Sequence, residues 1–198
     1  MKAKHIILFL VVALACKAEE PAKVEALDFS KSGRIGSIRL DVKETASAKV
    51  IFRNTETDYG TYDRDFQRNK TLAVDVTNLS RNPSAVTVDV YWFGQKLVDR
   101  KTYVFDHDTA AKELRATDRY HLESQMLTME SSVLNLAALQ EKWVSGSKVA
   151  GWLVVASDKG VVFAHRASSP SIEQLAKTSL AQLVADYERI LRENGGTK

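Results

Sequence analysis

One cysteine, Cys16, is all that the 198 residues contain. No internal disulfide can form, so the fold must rest on apolar burial, and with Cys16 lipidated or removed no thiol nucleophile remains. The chain also lacks an excess of either charge. Its 28 basic and 25 acidic residues give +3, and setting aside Lys2 and Lys4 leaves 26 against 25. A balance near +1 offers nucleic acid no electrostatic footprint. The apolar run at the N-terminus, Ile6 to Ala15, is ten residues, about half of the ~20 that a membrane-spanning helix needs.

Recognisable catalytic spacing is missing too. There is no Gly-x-Ser-x-Gly elbow. Ser145-Gly146-Ser147-Lys148 matches Ser-x-x-Lys, but that pattern needs a serine opening a helix together with Ser-Asp-Asn and Lys-Thr-Gly companions, and both companions are absent. The segment Ser145 to Ser147 reads instead as a turn before a strand. His107, His121 and His165 lack the i, i+4 spacing that sets two metal ligands on one helical face. Asp58, Asp63 and Asp65 cluster around Tyr59, Gly60 and Tyr62 without the Asp-x-Asp-x-Asp-Gly order of a calcium loop, and read as a solvated loop. No catalytic residue, metal or cofactor is expected. Catalysis would require His121 or His165 to lie within hydrogen-bond reach of a carboxylate in a pocket.

What is present begins with an export signal. Lys2 and Lys4 precede the apolar run, and the run leads into Cys16. Two cleavage readings stay open. Ala13-Leu14-Ala15-Cys16 resembles a lipobox, with Ala where Leu is preferred, and would make Cys16 a lipid anchor. Cleavage after Ala15 or Ala18 would release an unmodified chain. The expected organisation is a signal peptide over 1–16, a polar linker over 17–35, a β domain over 36–168 and a helix over 169–194. The expected location is the periplasm, the outer membrane if Cys16 is lipidated, or the exterior.

Within the domain the apolar pattern has period two. Leu72, Val74 and Val76 alternate with Ala73, Asp75 and Thr77, and Val86, Val88, Val90 and Trp92 alternate with Thr87, Asp89, Tyr91 and Phe93. Ser80 to Ser84, with Pro83, predicts a hairpin loop, and Gly94-Gln95 predicts a tight turn into Lys96 to Phe105, giving a three-strand meander. Ser37 to Val42 and Lys49 to Asn54 are short β-prone runs, and Leu114 to Ser124 alternates weakly. Val149 to Ala156 and Val161 to His165 flank a hairpin turn at Ser157 to Gly160. Residues 127–144 fit loop, strand or helix. Seven or eight short strands predict a mainly β fold, an immunoglobulin-like antiparallel β-sandwich.

The C-terminal segment changes period. From Ile172 to Leu191 apolar residues recur at three and four, after Pro170 and a Ser171/Gln174 capping-box match, and Asn194-Gly195-Gly196 follows. A helix from Pro170 to about Glu193 is predicted. Its stripe packs on the sandwich, or leaves a part that includes Tyr187 for a partner. If Trp92 faces inward, Tyr91 and Phe93 face the other way, and either form a contact platform or lie under that helix. Tyr59 and Tyr62, placed in a loop, are the further contact candidates.

The order Gly151-Trp152-Leu153-Val154, then Gly160-Val161-Val162, Ala167-Ser168-Ser169-Pro170-Ser171 and Leu175-Ala176 resembles the C-terminal part of small uncharacterised secreted β-sandwich proteins. Some of these are encoded beside secretin and type IV pilus assembly genes in mucus-dwelling bacteria. The resemblance implies an immunoglobulin-like envelope protein associated with a pilus or secretion apparatus, and supplies no catalytic residue. The expected function is non-enzymatic binding of envelope or pilus-assembly proteins; the alternative is a carbohydrate- or host-surface-binding module.

Overall fold

The computed structural model describes residues 27, 29, 37–53, 61–136 and 141–193. Eight strands precede one helix: β1 (Ile38–Arg53), β2 (Thr61–Asn78), β3 (Ser84–Lys96), β4 (Thr102–Leu114), β5 (Arg119–Glu123), β6 (Leu127–Leu136), β7 (Glu141–Asp158), β8 (Val161–Ala167) and α1 (Pro170–Glu193). All described pairings are antiparallel, in the order β1-β2-β6-β7-β3-β4, with β5 added to β2 and β8 to β7. The architecture is the expected β-sandwich with a C-terminal helix.

Strand β7 belongs to both sheets. Its first residues pair with β6 as far as Ser131↔Gly146, and from Ser147 onward it pairs with β3. The turnover falls at Gly146, whose φ of 88° and whose position, with a Cβ 2.5 Å from the Glu130 carbonyl oxygen, admit only glycine comfortably. A register shift between Phe93 and Gly94 follows at once and bends the ladder. Ser145 to Ser147 is therefore not a turn but the corner of a continuous strand.

Between the sheets lies the main core. Leu72, Val74 and Val76 of β2 face Val86, Val88, Val90 and Trp92 of β3, with Trp152 and Val154 of β7 beside them. The outer face of β3 and β7 is covered as well. Tyr91, Phe93, Leu153 and Val155 pack against Ile172, Ala176, Leu180 and Val184 of α1, four helical positions at i, i+4 spacing. Burial on both faces explains why Tyr91-Trp92-Phe93 and Trp152 to Ala156 read as unbroken apolar runs, each large side chain contributing roughly 1.5–3 kcal/mol.

The helix has the bounds its periodicity predicts, and its cap is two residues before the capping-box serine Ser171. Ser169 Oγ accepts the Ile172 N–H at 3.3 Å. Pro170 at the first helical position has no N–H to be capped, so Ser169 rather than Ser171 caps the helix. The β7–β8 hairpin is also as expected. Lys159 and Gly160 both have positive φ, 47° and 76°, as its tight turn demands.

Other expectations need correction. β2 and β3 do not pair, so Ser80 to Ser84 carries the chain between sheets and the meander is not formed. Buried Asn78 holds this crossing: its amide nitrogen reaches the carbonyls of Asn82, Leu114 and Arg115, and its oxygen accepts from the Ser80 N–H and hydroxyl. The turn between β3 and β4 lies at Leu97 to Arg100, while Gly94 sits in the strand beneath the Tyr103 ring. The two runs before residue 55 are one strand, since Lys43 to Ala48 contains neither glycine nor proline to stop it. Residues 127–136 are strand β6. Contacts with the fold begin before Gly36, because Leu27 and Phe29 pack against the cluster beneath α1.

Candidate functional site

The residues expected to meet a partner occupy different environments. Tyr91 and Phe93 are 1 % and 0 % exposed. Both are covered by α1, so neither forms a contact platform. Tyr187 is half-buried against the same cluster, and its hydroxyl donates to Asp106 Oδ1 at 3.3 Å. Tyr62 lies in β2 opposite Asn135 and not in a loop, because β2 begins at Thr61. Tyr59 and Cys16 lie outside the described residues.

Each described histidine meets a carboxylate. His107 Nε2 is 3.0 Å from Asp89 Oδ1, its ring stacks on Tyr91 at 4.4 Å, and the Asp106 side chain accepts its backbone N–H. Burial, with the nearby Asp89 and Glu188 carboxylates, pushes the Tyr91 hydroxyl far above its ordinary range. His121 Nδ1 is 2.9 Å from Asp75 Oδ1, and Arg119 grips the same carboxylate through two bonds of 3.1 and 2.7 Å. Arg119 first and His121 second hold Asp75 below the usual carboxylate range; Asp75 in turn raises His121. His165 Nε2 is 3.1 Å from Glu173 Oε1, which also accepts from Lys177 at 2.6 Å. Lys177 and then His165 bring the Glu173 carboxyl down to about 2.

The His107–Asp89 pair is largely buried, whereas the other two lie at the sheet and helix surface. Asp75 and Glu173 already serve a second cation each, and His121 stands half exposed on the outward face of β5. Among the described residues no group of three or more His, Cys, Asp or Glu is placed to hold a metal. Asp63 and Asp65 lie in β2, where Asp65 accepts from Ser132 Oγ at 2.6 Å. Asp58 is outside the described residues. Ser145, the serine of the Ser-x-x-Lys match, sits within strand β7, so the pattern lacks its helix.

The surface that sequence reasoning missed is the far half of β1. This strand ends the sheet order, and among the described strands it pairs with β2 alone. Its first residues are approached by β8, where Arg166 Nε reaches the Leu40 carbonyl at 3.4 Å. From Lys43 to Ile51 every residue is exposed, including Val50 at 43 % and Ile51 at 37 %. A long uncovered edge strand offers a row of backbone donors and acceptors to another chain.

Charge gives this edge a sign. Glu44 accepts the Trp152 indole N–H at 2.7 Å and an ion pair from Lys70; burial pushes its carboxyl up, but these two partners hold it below the usual range. Lys43, Lys49 and, one strand inward, Arg68 have no carboxylate within ion-pair range among the described residues. Period two sets Lys43 and Lys49 on one face with Thr45 and Ser47, and Ala46, Ala48 and Val50 on the other. The sequence carried this signal as a stretch from Thr45 to Arg53 without an acidic residue.

No family model matches the chain, and no curated protein does. Solved structures overlap it weakly. A structural-genomics target is 12 % identical with a TM-score of 0.28, covering 71 % of this chain and 92 % of its own. A Bordetella pertussis protein solved under the name ApaA is 10 % identical with a TM-score of 0.23, covering 65 % and 92 %. A protein of Akkermansia muciniphila is 14 % identical with a TM-score of 0.19, covering 66 % and 72 %. Overlap at this level carries no inference about function.

Proposed function

We propose that the chain is a non-enzymatic exported envelope protein that binds another protein in an assembly such as a pilus or secretion apparatus. The observation that supports this reading is the uncovered basic edge of β1, a sheet edge of the kind that accepts a strand from a partner. The signal segment and Cys16 support the compartment: tethered through a lipid, or released. Among the described residues no helix is long and apolar enough to cross a membrane. A carbohydrate-binding alternative would have to use aromatics other than Tyr91 and Phe93, which are buried.

Site-specific photo-crosslinking in the native envelope tests the reading. A photoreactive residue at Val50 is expected to form a protein adduct, whereas one at Val98, 80 % exposed on the β3–β4 turn, is not. Equal labelling at both sites, or none at Val50, overturns it. The intact mass of the membrane-extracted protein separates lipidated Cys16 from cleavage after Ala15 or Ala18.

A further inference from the structure

We propose that the partner contributes an extended segment alternating acidic and apolar residues, which adds as an antiparallel or parallel strand along β1 from Lys43 to Ile51. This deepens the protein-binding reading above and rests on it. An added strand places its side chains on the same two faces as β1, each within reach of its cross-strand neighbour. On one face it meets Lys43 and Lys49 separated by Thr45 and Ser47. On the other it meets Ala46, Ala48 and Val50, small and apolar positions next to Arg68. Acidic residues suit the first face and apolar residues the second. The only carboxylate of β1 in this region, Glu44, is held by Lys70 and Trp152 and offers no repulsion to spare.

A second copy is a poor occupant. When a strand pairs antiparallel with itself around a two-fold axis, residues of like parity face one another, so Lys43 and Lys49 meet a face that carries the same lysines and no carboxylate from Thr45 to Ile51. Lysines on an edge discourage this contact. They leave the acidic strand as the chemistry the edge accepts.

The probe is a capped, fluorescein-labelled peptide of about ten residues, the length of an ordinary strand, alternating valine and glutamate. It is titrated by anisotropy against the full mature chain. Two control peptides accompany it, one with lysine for glutamate and one with proline for two of the valines. The expected result is saturable binding of the glutamate peptide, with both controls about tenfold weaker or more. The exposed pair Lys43→Glu and Lys49→Glu, with an unchanged thermal melt, is expected to reverse the preference toward the lysine peptide. Equal binding of the proline peptide overturns strand addition, since charge alone would then suffice. Concentration-dependent dimerisation without peptide binding assigns the edge to a second copy, and silence of all peptides leaves the lysines as guards against aggregation; either result overturns the inference. A Val50 adduct in the envelope alongside silent peptides would sink the acidic strand while leaving the protein-binding reading in place.

Discussion

The Trp152 indole N–H donates to Glu44 across 108 residues of sequence, while Trp92, its direct neighbour in the ladder, buries an indole N–H with no hydrogen-bond partner among the described residues. The two tryptophans face the same core with opposite polar outcomes. A bond to a carboxylate is worth about 1.5–3 kcal/mol, and an orphaned buried donor costs about 1–3. Trp152→Phe is therefore expected to destabilise the chain by at least about 2 kcal/mol more than Trp92→Phe, as read from urea midpoints at matched m-values.

Glu173 gives the helix a pH-dependent contribution. Its carboxyl is lowered from 4.5 to about 2 by Lys177 and His165, so the folded state holds fewer protons than the unfolded state in that window. The stabilisation is complete above 4.5 and is lost as pH falls toward 2. The urea midpoint of the native chain should exceed that of Glu173→Gln near neutrality, and the gap should close toward pH 2. A gap that stays constant with pH would show that the ion pairs are not its origin.

Gly146→Ala tests the corner of β7. The new Cβ would press on the Glu130 carbonyl in a left-handed backbone conformation. Together the strain and the contact predict a loss of at least about 2 kcal/mol. Equilibrium denaturation reads the loss, and an unaffected variant would mean that β7 can change sheets without this geometry.

Asn78→Ala should be costly for a different reason. It leaves the carbonyls of Leu114 and Arg115 without this donor at the crossing between sheets. A loss of about 2–4 kcal/mol is expected, with Asn78→Asp no better because a carboxylate cannot donate. Thermal melts of the two variants check this.

The parts of the fold that could be read in advance are those whose periodicity comes from one covered face. Leu72, Val74 and Val76, or Ile172 through Val184, show such a face, and their strand and helix follow. Tyr91-Trp92-Phe93 showed no alternation because α1 covers one side and the opposite sheet the other. The far half of β1 was obscure for the opposite reason: Lys43 to Ile51 has no covered face to impress a period on it. Sheet exchange at Gly146 was hidden because a glycine beside two serines has the composition of a turn. The candidate site shared this fate, since an edge is defined by which strand is missing beside it.

The outer face of β3 has a consequence for the order of events in synthesis. A chain that emerges from its N-terminus delivers Tyr91 and Phe93 well before Ile172 to Val184, the segment that shields them. Until the last helix arrives, the half-made protein displays a sticky aromatic sheet to whatever surrounds it. Release before Pro170 would strand the molecule in that condition. Such a truncated chain should bind hydrophobic dyes and precipitate where the full chain stays monodisperse, and a holdase chaperone would meet it in this state.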